Sequence, residues 1–125
     1  MGIKILDTSI LIDHLRGYKP ATQYLDSLND KETAISVITE AEVLSGESCN
    51  NSSIRESISH LLSRWKHIDV SRDIAIQTGD IKRKYRLTMP DALIAATALL
   101  HGLEVSTKNV KDFAKVEGIV IKAPY

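Results

Sequence analysis

The sequence predicts an α/β fold, a three-layer α/β/α sandwich on a mainly parallel central sheet, and three observations predict it. Short apolar, β-branched runs alternate along the chain with stretches whose apolar residues recur at helical spacing. One such stretch, residues 92–100 within 90–101, is apolar nearly all round, the mark of a helix buried among neighbours. No repeat or low-complexity segment competes, and 125 residues with 43% apolar content suit one domain with a real core, expected over residues 1–125.

The elements follow in order. Ile3-Lys4-Ile5-Leu6 reads as a strand that stops at Asp7-Thr8-Ser9, after which Ile10, Leu11, His14 and Leu15 share a helical face as far as Gly17. Pro20 opens a second helix with Tyr24, Leu25 and Leu28 on one side. Residues 33–37 form the next strand and 39–46 the helix after it. The turn-forming run 46–53 is a connection, followed by an amphipathic helix carrying Ile54, Ile58, Leu61, Leu62 and Trp65. A strand over 67–70 and a helix over 74–85 lead to the alanine-rich helix, whose small side chains permit close approach. Strands over 103–106 and 119–121, with a short helix over 110–116 between them, complete the chain. In such folds the binding crevice lies at the carboxyl ends of the strands, so residues just after strands matter most.

Composition narrows the function. Sixteen basic residues (Lys+Arg 16) balance the acids (Asp+Glu 16), so no global positive charge announces a nucleic-acid binder, and RNA binding would depend on local arrangement. Cys49, the only cysteine, excludes a disulfide framework and a cysteine zinc site and reads as a loop thiol. His14, His60, His67 and His101 lack zinc-ligand spacing and are assigned structural or surface roles. No segment has the continuous apolar length of a membrane span, and the opening Met-Gly-Ile-Lys-Ile-Leu has no secretory-signal order, so a soluble, cytoplasmic protein is expected.

Four acids stand near expected helix starts: Asp7, Glu42, Asp91 and Asp112. Each alone has a capping explanation, and Thr39-x-x-Glu42, Thr88-x-x-Asp91 and Asn109-x-x-Asp112 all resemble capping boxes. A parallel sheet, however, brings these helix starts to one edge and the carboxylates around one crevice. Clustered like charges repel and drive at least one toward its neutral form, whereas a hard divalent cation such as Mg²⁺ or Mn²⁺ favours clustered carboxylate oxygens. Such ions support phosphodiester hydrolysis by in-line displacement.

Four segments carry a resemblance to the PIN-domain nucleases, in particular VapC-like toxins. They are Leu6-Asp7-Thr8-Ser9-Ile10-Leu11-Ile12-Asp13, then Ser36-Val37-Ile38-Thr39-Glu40-Ala41-Glu42-Val43 with Gly46, then Pro90-Asp91-Ala92-Leu93-Ile94-Ala95-Ala96-Thr97-Ala98, and Thr107-Lys108-Asn109-Val110-Lys111-Asp112-Phe113. They occur in family order and cover essentially the whole chain. The resemblance implies that Asp7, Glu42, Asp91 and Asp112 hold Mg²⁺ or Mn²⁺, with Thr8, Ser9, Thr107 and Asn109 orienting them, unless capping and turn formation account for those four. It implies an endoribonuclease of structured cellular RNA leaving a 5′-phosphate and a 3′-hydroxyl. It also implies a homodimer, and a small antitoxin that lays a helix into the crevice, with the helices over 11–28 as the groove. Glu40 departs from the pattern, on a different helical face from Glu42, and is expected to be solvated. Asn109 departs too, standing where the family pattern can place an acid.

The run Lys82 to Arg86, with Lys82, Arg83 and Arg86 as candidate RNA contacts, more commonly means a solvated helix face; Lys108 and Lys111 flank the acids more closely. Tyr18, Tyr24, Trp65 and Tyr85 could stack on bases or belong to the core. The alternative function is a non-catalytic PIN-like module that binds RNA or protein, against which the retained acids argue. A phosphotransfer or receiver domain also places Asp after its first strand, but Asp7 lacks the second Asp two residues on.

Overall fold

A computed structural model of the chain describes residues 3–125. The elements run β1 (Lys4–Leu6), α1 (Thr8–Leu15), α2 (Lys19–Ser27), β2 (Thr33–Ser36), α3 (Val37–Leu44), α4 (Ser52–Leu62), β3 (Lys66–Ile68), α5 (Arg72–Tyr85), α6 (Met89–His101), β4 (Glu104–Ser106), α7 (Val110–Phe113) and β5 (Val120–Lys122). Short 3-10 turns at Asp30–Glu32 and Glu47–Asn50 fill two connections. The strands form one sheet in the order β3-β2-β1-β4-β5, and every pairing is parallel.

Alternation along the central strands divides the core in two. Ile5, Ala34 and Val105 face one cluster with Ile74, Ile94 and Phe113, while their neighbours Leu6 and Ile35 face the other with Ile10, Leu11, Leu25 and Leu62. Because successive side chains of a strand point to opposite faces, a sheet buried on both sides yields two such cores. The predicted sandwich is therefore the observed one. The alanines of α6 let it pack closely along α5, and Gly102 (φ 65°) ends it in the left-handed conformation.

Boundaries differ from expectation in places, for local reasons. Ser36, not Thr39, caps α3: its side chain accepts from the Ile38 N–H at 3.1 Å, so the helix begins at Val37 and the strand ends before it. Thr39 is thus a buried residue within the helix. The helix after β4 also closes early, at Phe113 rather than 116. Asn51 and Ser71 cap α4 and α5 by accepting from the backbone N–H groups of Ile54 and Ile74.

Strand β1 has β2 on one side and β4 on the other, so the chain order reverses direction across it. Such a switch point opens a crevice at the carboxyl end of the strands. Asp7 is the first residue beyond that end. No helix among the described residues is long and apolar enough to cross a membrane.

Candidate active site

The site is built from the residues that follow β1, β2 and β4 and from the start of α6. Asp7 continues the sheet ladder, donating its N–H to the Ser106 carbonyl at 2.9 Å, before the chain turns into α1. It occupies the N-cap position of α1, yet its side chain makes no capping hydrogen bond. Instead Oδ2 accepts from Thr107 Oγ1 at 2.7 Å and from Ser9 Oγ at 2.9 Å. The capping explanation fails for Asp7, and its carboxylate is held toward the space above β1.

Thr107 relays this contact onward. Its oxygen accepts the Asn109 N–H at 2.9 Å, and the Asn109 amide Nδ2 donates to Asp91 Oδ2 at 3.1 Å and to Asp112 Oδ2 at 3.0 Å. Both protons of that amide are used on carboxylates. Asn109 holds the N-cap position of α7 without capping it, so this box is also not formed. On the other side Thr8 donates to Glu42 Oε1 at 2.7 Å, and the Thr39 hydroxyl stands 3.0 Å from the Thr8 oxygen. Only at Asp91 does the capping geometry hold, because Thr88 accepts its N–H at 3.3 Å.

Asp7, Glu42 and Asp91 line one cleft of about 540 Å³ together with Thr8, Ser9 and Asn109. Asp112 stands at the margin: it does not line the cleft, pairs with Lys115 at 3.5 Å, and meets Asp91 through the shared Asn109 amide. Among the described residues no three His, Cys, Asp or Glu side chains converge as a ready metal cage. The carboxylates line the walls of the cleft.

Their electrostatics are those of an uncompensated cluster. Burial first, then the charge of Asp7, pushes the Asp91 carboxyl up to about 6, although hydrogen bonds from Asn109 and Thr88 oppose the rise. Asp112 moves the other way, its carboxyl lowered chiefly by the Asn109 hydrogen bond and then by Lys115. Two helix starts, those of α1 and α6, direct their positive ends at the same space and favour anions there. The donor set is oxygen throughout, which suits Mg²⁺ or Mn²⁺ better than a soft metal.

Other candidates are placed less uniformly. Glu40 is half-buried rather than solvated and does not line the cleft. Lys108 is bound to Asp13 at 3.1 Å and is not a free cation, whereas Lys111 is exposed. Arg83 pairs with Asp80, Lys82 is exposed, and exposed Arg86 closes α5 two residues before Thr88, a cleft-lining residue. Trp65 is buried with its indole N–H on Asp30, and the Tyr85 hydroxyl accepts from the Glu117 N–H, so both are structural. Cys49 packs against the second core cluster. His14 bonds to Thr22 and His67 to the Leu62 carbonyl, as structural histidines do. Sequence reasoning gave Asp13 and Tyr125 no role; their only signal was position, Asp13 one helical turn beyond Ser9.

A sequence profile described as the PIN domain matches residues 4–119. The chain belongs to the PIN-domain family. Among curated relatives, a ribonuclease VapC10 of Mycobacterium tuberculosis is 34% identical, with 97% of this chain and 92% of the relative covered. A ribonuclease VapC1 of Rickettsia felis is 30% identical, with 97% and 95% covered. Among solved structures, a toxin-antitoxin complex from Klebsiella pneumoniae contains a chain 39% identical, aligned over 98% of both chains with a TM-score of 0.80. A DNA-bound VapBC from Salmonella typhimurium aligns over all of both chains, with 26% identity and a TM-score of 0.84. Both the resemblance in the four motifs and the parallel sandwich are those of this family.

Proposed function

We propose that this PIN domain, spanning 1–125, is a Mg²⁺- or Mn²⁺-dependent endoribonuclease and the toxin of a toxin–antitoxin pair. The observation that carries the reading is the hydrogen-bonded chain Asp7–Thr107–Asn109–Asp91, which fastens acids from opposite ends of the sequence to one cleft. A scaffold without chemistry gains nothing from holding Asp91 where burial and Asp7 oppose its charge. The VapC relatives, named ribonucleases, and the neighbouring toxin-antitoxin complex support the same assignment.

Asp7, Glu42 and Asp91 would hold the ion, with Asp112 acting through Asn109. When bound there, Mg²⁺ or Mn²⁺ supplies Lewis acidity toward a phosphodiester and neutralises the clustered negative charge. Ser9 and Thr107 donate to Asp7 and fix the orientation of its carboxylate, and Thr8 does the same for Glu42. Asn109 orients Asp91 with a neutral donor that adds no further negative charge. The converging helix starts favour the phosphate itself, and exposed Lys111 and Arg86, each two residues from one that lines the cleft, would contact the RNA backbone. The products expected are a 5′-phosphate and a 3′-hydroxyl. A homodimer and a small antitoxin seated across α1 and α2 complete the proposal, in a cytoplasmic setting.

The test is cleavage of cellular RNA with added Mn²⁺ by the parent chain and by Asp7→Asn and Asp91→Asn separately. Each substitution is expected to lower the rate on the order of a hundredfold or more. Full activity in both variants would defeat the reading.

A further inference from the structure

Beyond Ser9 and Ile12, outside the cleft and toward the far end of α1, stands an aromatic cluster that the nuclease reading leaves unused. Ser9 and Ile12 line the cleft, and Asp13, four residues after Ser9, shares that side of α1. Six residues separate Asp13 from Asp7, a rise of about 9 Å along a helix. The Asp13 carboxylate accepts from Lys108 Nζ at 3.1 Å and from the Tyr125 hydroxyl at 2.8 Å. Lys108 in turn lies 5.1 Å from the centre of the Tyr18 ring and 5.3 Å from that of Tyr125. The two rings are 5.7 Å apart, and Tyr24, bonded to Ser106, packs edge-on against Tyr125 at 6.1 Å.

This is a braced assembly. One cation serves two rings and an ion pair, and the terminal residue of the described chain is tied down by its own hydroxyl. Burial, then the Asp13 bond, raises the Tyr125 phenol above its ordinary range, so the hydroxyl remains a donor. Yet Tyr18 is 47% exposed and Tyr125 37%. Aromatic rings fixed in place but left open to solvent, next to a cleft that would process a polynucleotide, match the requirement for stacking an unpaired base. Lys108, its charge engaged by Asp13, stiffens the platform instead of gripping phosphate.

We propose that Tyr18 and Tyr125, braced by Lys108 and Asp13, form a stacking subsite for an unpaired RNA base flanking the cleaved bond. The proposal rests on the nuclease reading, and a binding experiment separates the two. In the full chain carrying Asp7→Asn, so that RNA is not consumed, affinity is measured for a short single-stranded oligoribonucleotide and for the same backbone with abasic positions. Adding Tyr18→Ala or Tyr125→Ala is expected to weaken binding of the first about tenfold and to leave the second unchanged, while Tyr18→Phe retains full affinity. A signal that does not depend on lost stability comes from Tyr18→Trp, whose indole fluorescence should fall on adding the oligonucleotide and not the abasic strand. Buried Trp65 contributes only a constant background.

Cleavage by the parent chain together with unchanged affinity in both alanine variants would overturn the subsite and leave the nuclease standing; the rings would then serve a protein contact. Equal losses for the normal and abasic strands would also overturn it. Absence of both cleavage and RNA binding would remove the two readings together.

Discussion

Thr107 donates its hydroxyl proton to Asp7 at 2.7 Å, across a sequence separation of 100 residues. The same oxygen receives the Asn109 N–H, so one buried threonine joins the end of β1 to the turn after β4 and sets the orientation of two site residues. Replacing it with the isosteric valine leaves the Asp7 carboxylate with Ser9 alone and the Asn109 N–H without its partner. Thr107→Val is expected to cost about 2 kcal/mol in urea unfolding. Thr107→Ser, which keeps the hydroxyl, should lose less than half as much.

The raised Asp91 carboxyl makes a statement about stability against pH. Its folded value, about 6, lies above the ordinary 3.8, so between those values the folded chain holds more protons than the unfolded one. Stability from this group therefore falls as pH rises through that window and reaches its lowest level above 6. Asp91→Asn, in chelator, is expected to stabilise the chain by about 1 kcal/mol at pH 7.5, a figure reduced for solvent screening of a half-exposed group. The gain should vanish near pH 4. Thermal melts at the two pH values check both the size and the sign.

Asn109 bridges two carboxylates with two protons. Asn109→Asp removes those donors and adds a like charge between Asp91 and Asp112. Without divalent ions the variant is expected to melt at a lower temperature than the parent, by about 1 to 3 kcal/mol of stability at pH 7.5. Added Mn²⁺ should recover most of the loss, since binding to the folded state alone stabilises it by mass action. Equal stability of variant and parent in chelator would show that the bridge is unimportant.

Much of this arrangement was legible in the sequence. The alternation of runs gave the parallel sandwich, and the position of Asp7 directly after Leu6 placed it at the carboxyl end of a strand, because local spacing and strand ends determine both; that this end is the switch point came only from the strand order. Glu42, in the helix after the second strand, and Asp91, opening the alanine-rich helix, were singled out for the same reason, and the fold brings both to one cleft. What could not be read was the contact between distant residues. Nothing local distinguishes Thr107 as a donor to Asp7, or Asn109 as a bridge rather than a cap. Asp112 illustrates the limit: its spacing from Asn109 is that of a capping box, yet in space it supports the amide from outside the cleft. Lys108 is a similar case among the basic residues. Lys108 was a candidate for free phosphate contact, and the fold commits it to Asp13, a partner 95 residues away.

Arg86 offers a separation of stability from function. It closes α5 with φ 57°, a left-handed conformation that side chains bearing a Cβ disfavour. Arg86→Gly is expected to raise stability by up to about 1 kcal/mol through relief of that conformation. If Arg86 contacts RNA, the same change weakens binding at low salt and flattens its salt dependence. Unfolding and RNA-binding titrations on one preparation read both effects.

The central claim is that the cleft between Asp7, Glu42 and Asp91 receives a divalent cation. Crystals of the chain soaked in Mn²⁺ and measured for anomalous scattering test it directly. The expected result is a peak within ligating distance of the Asp7 and Asp91 carboxylates, lost in crystals of Asp7→Asn. A cleft without a peak at saturating Mn²⁺, or a peak undiminished by that substitution, would contradict the account.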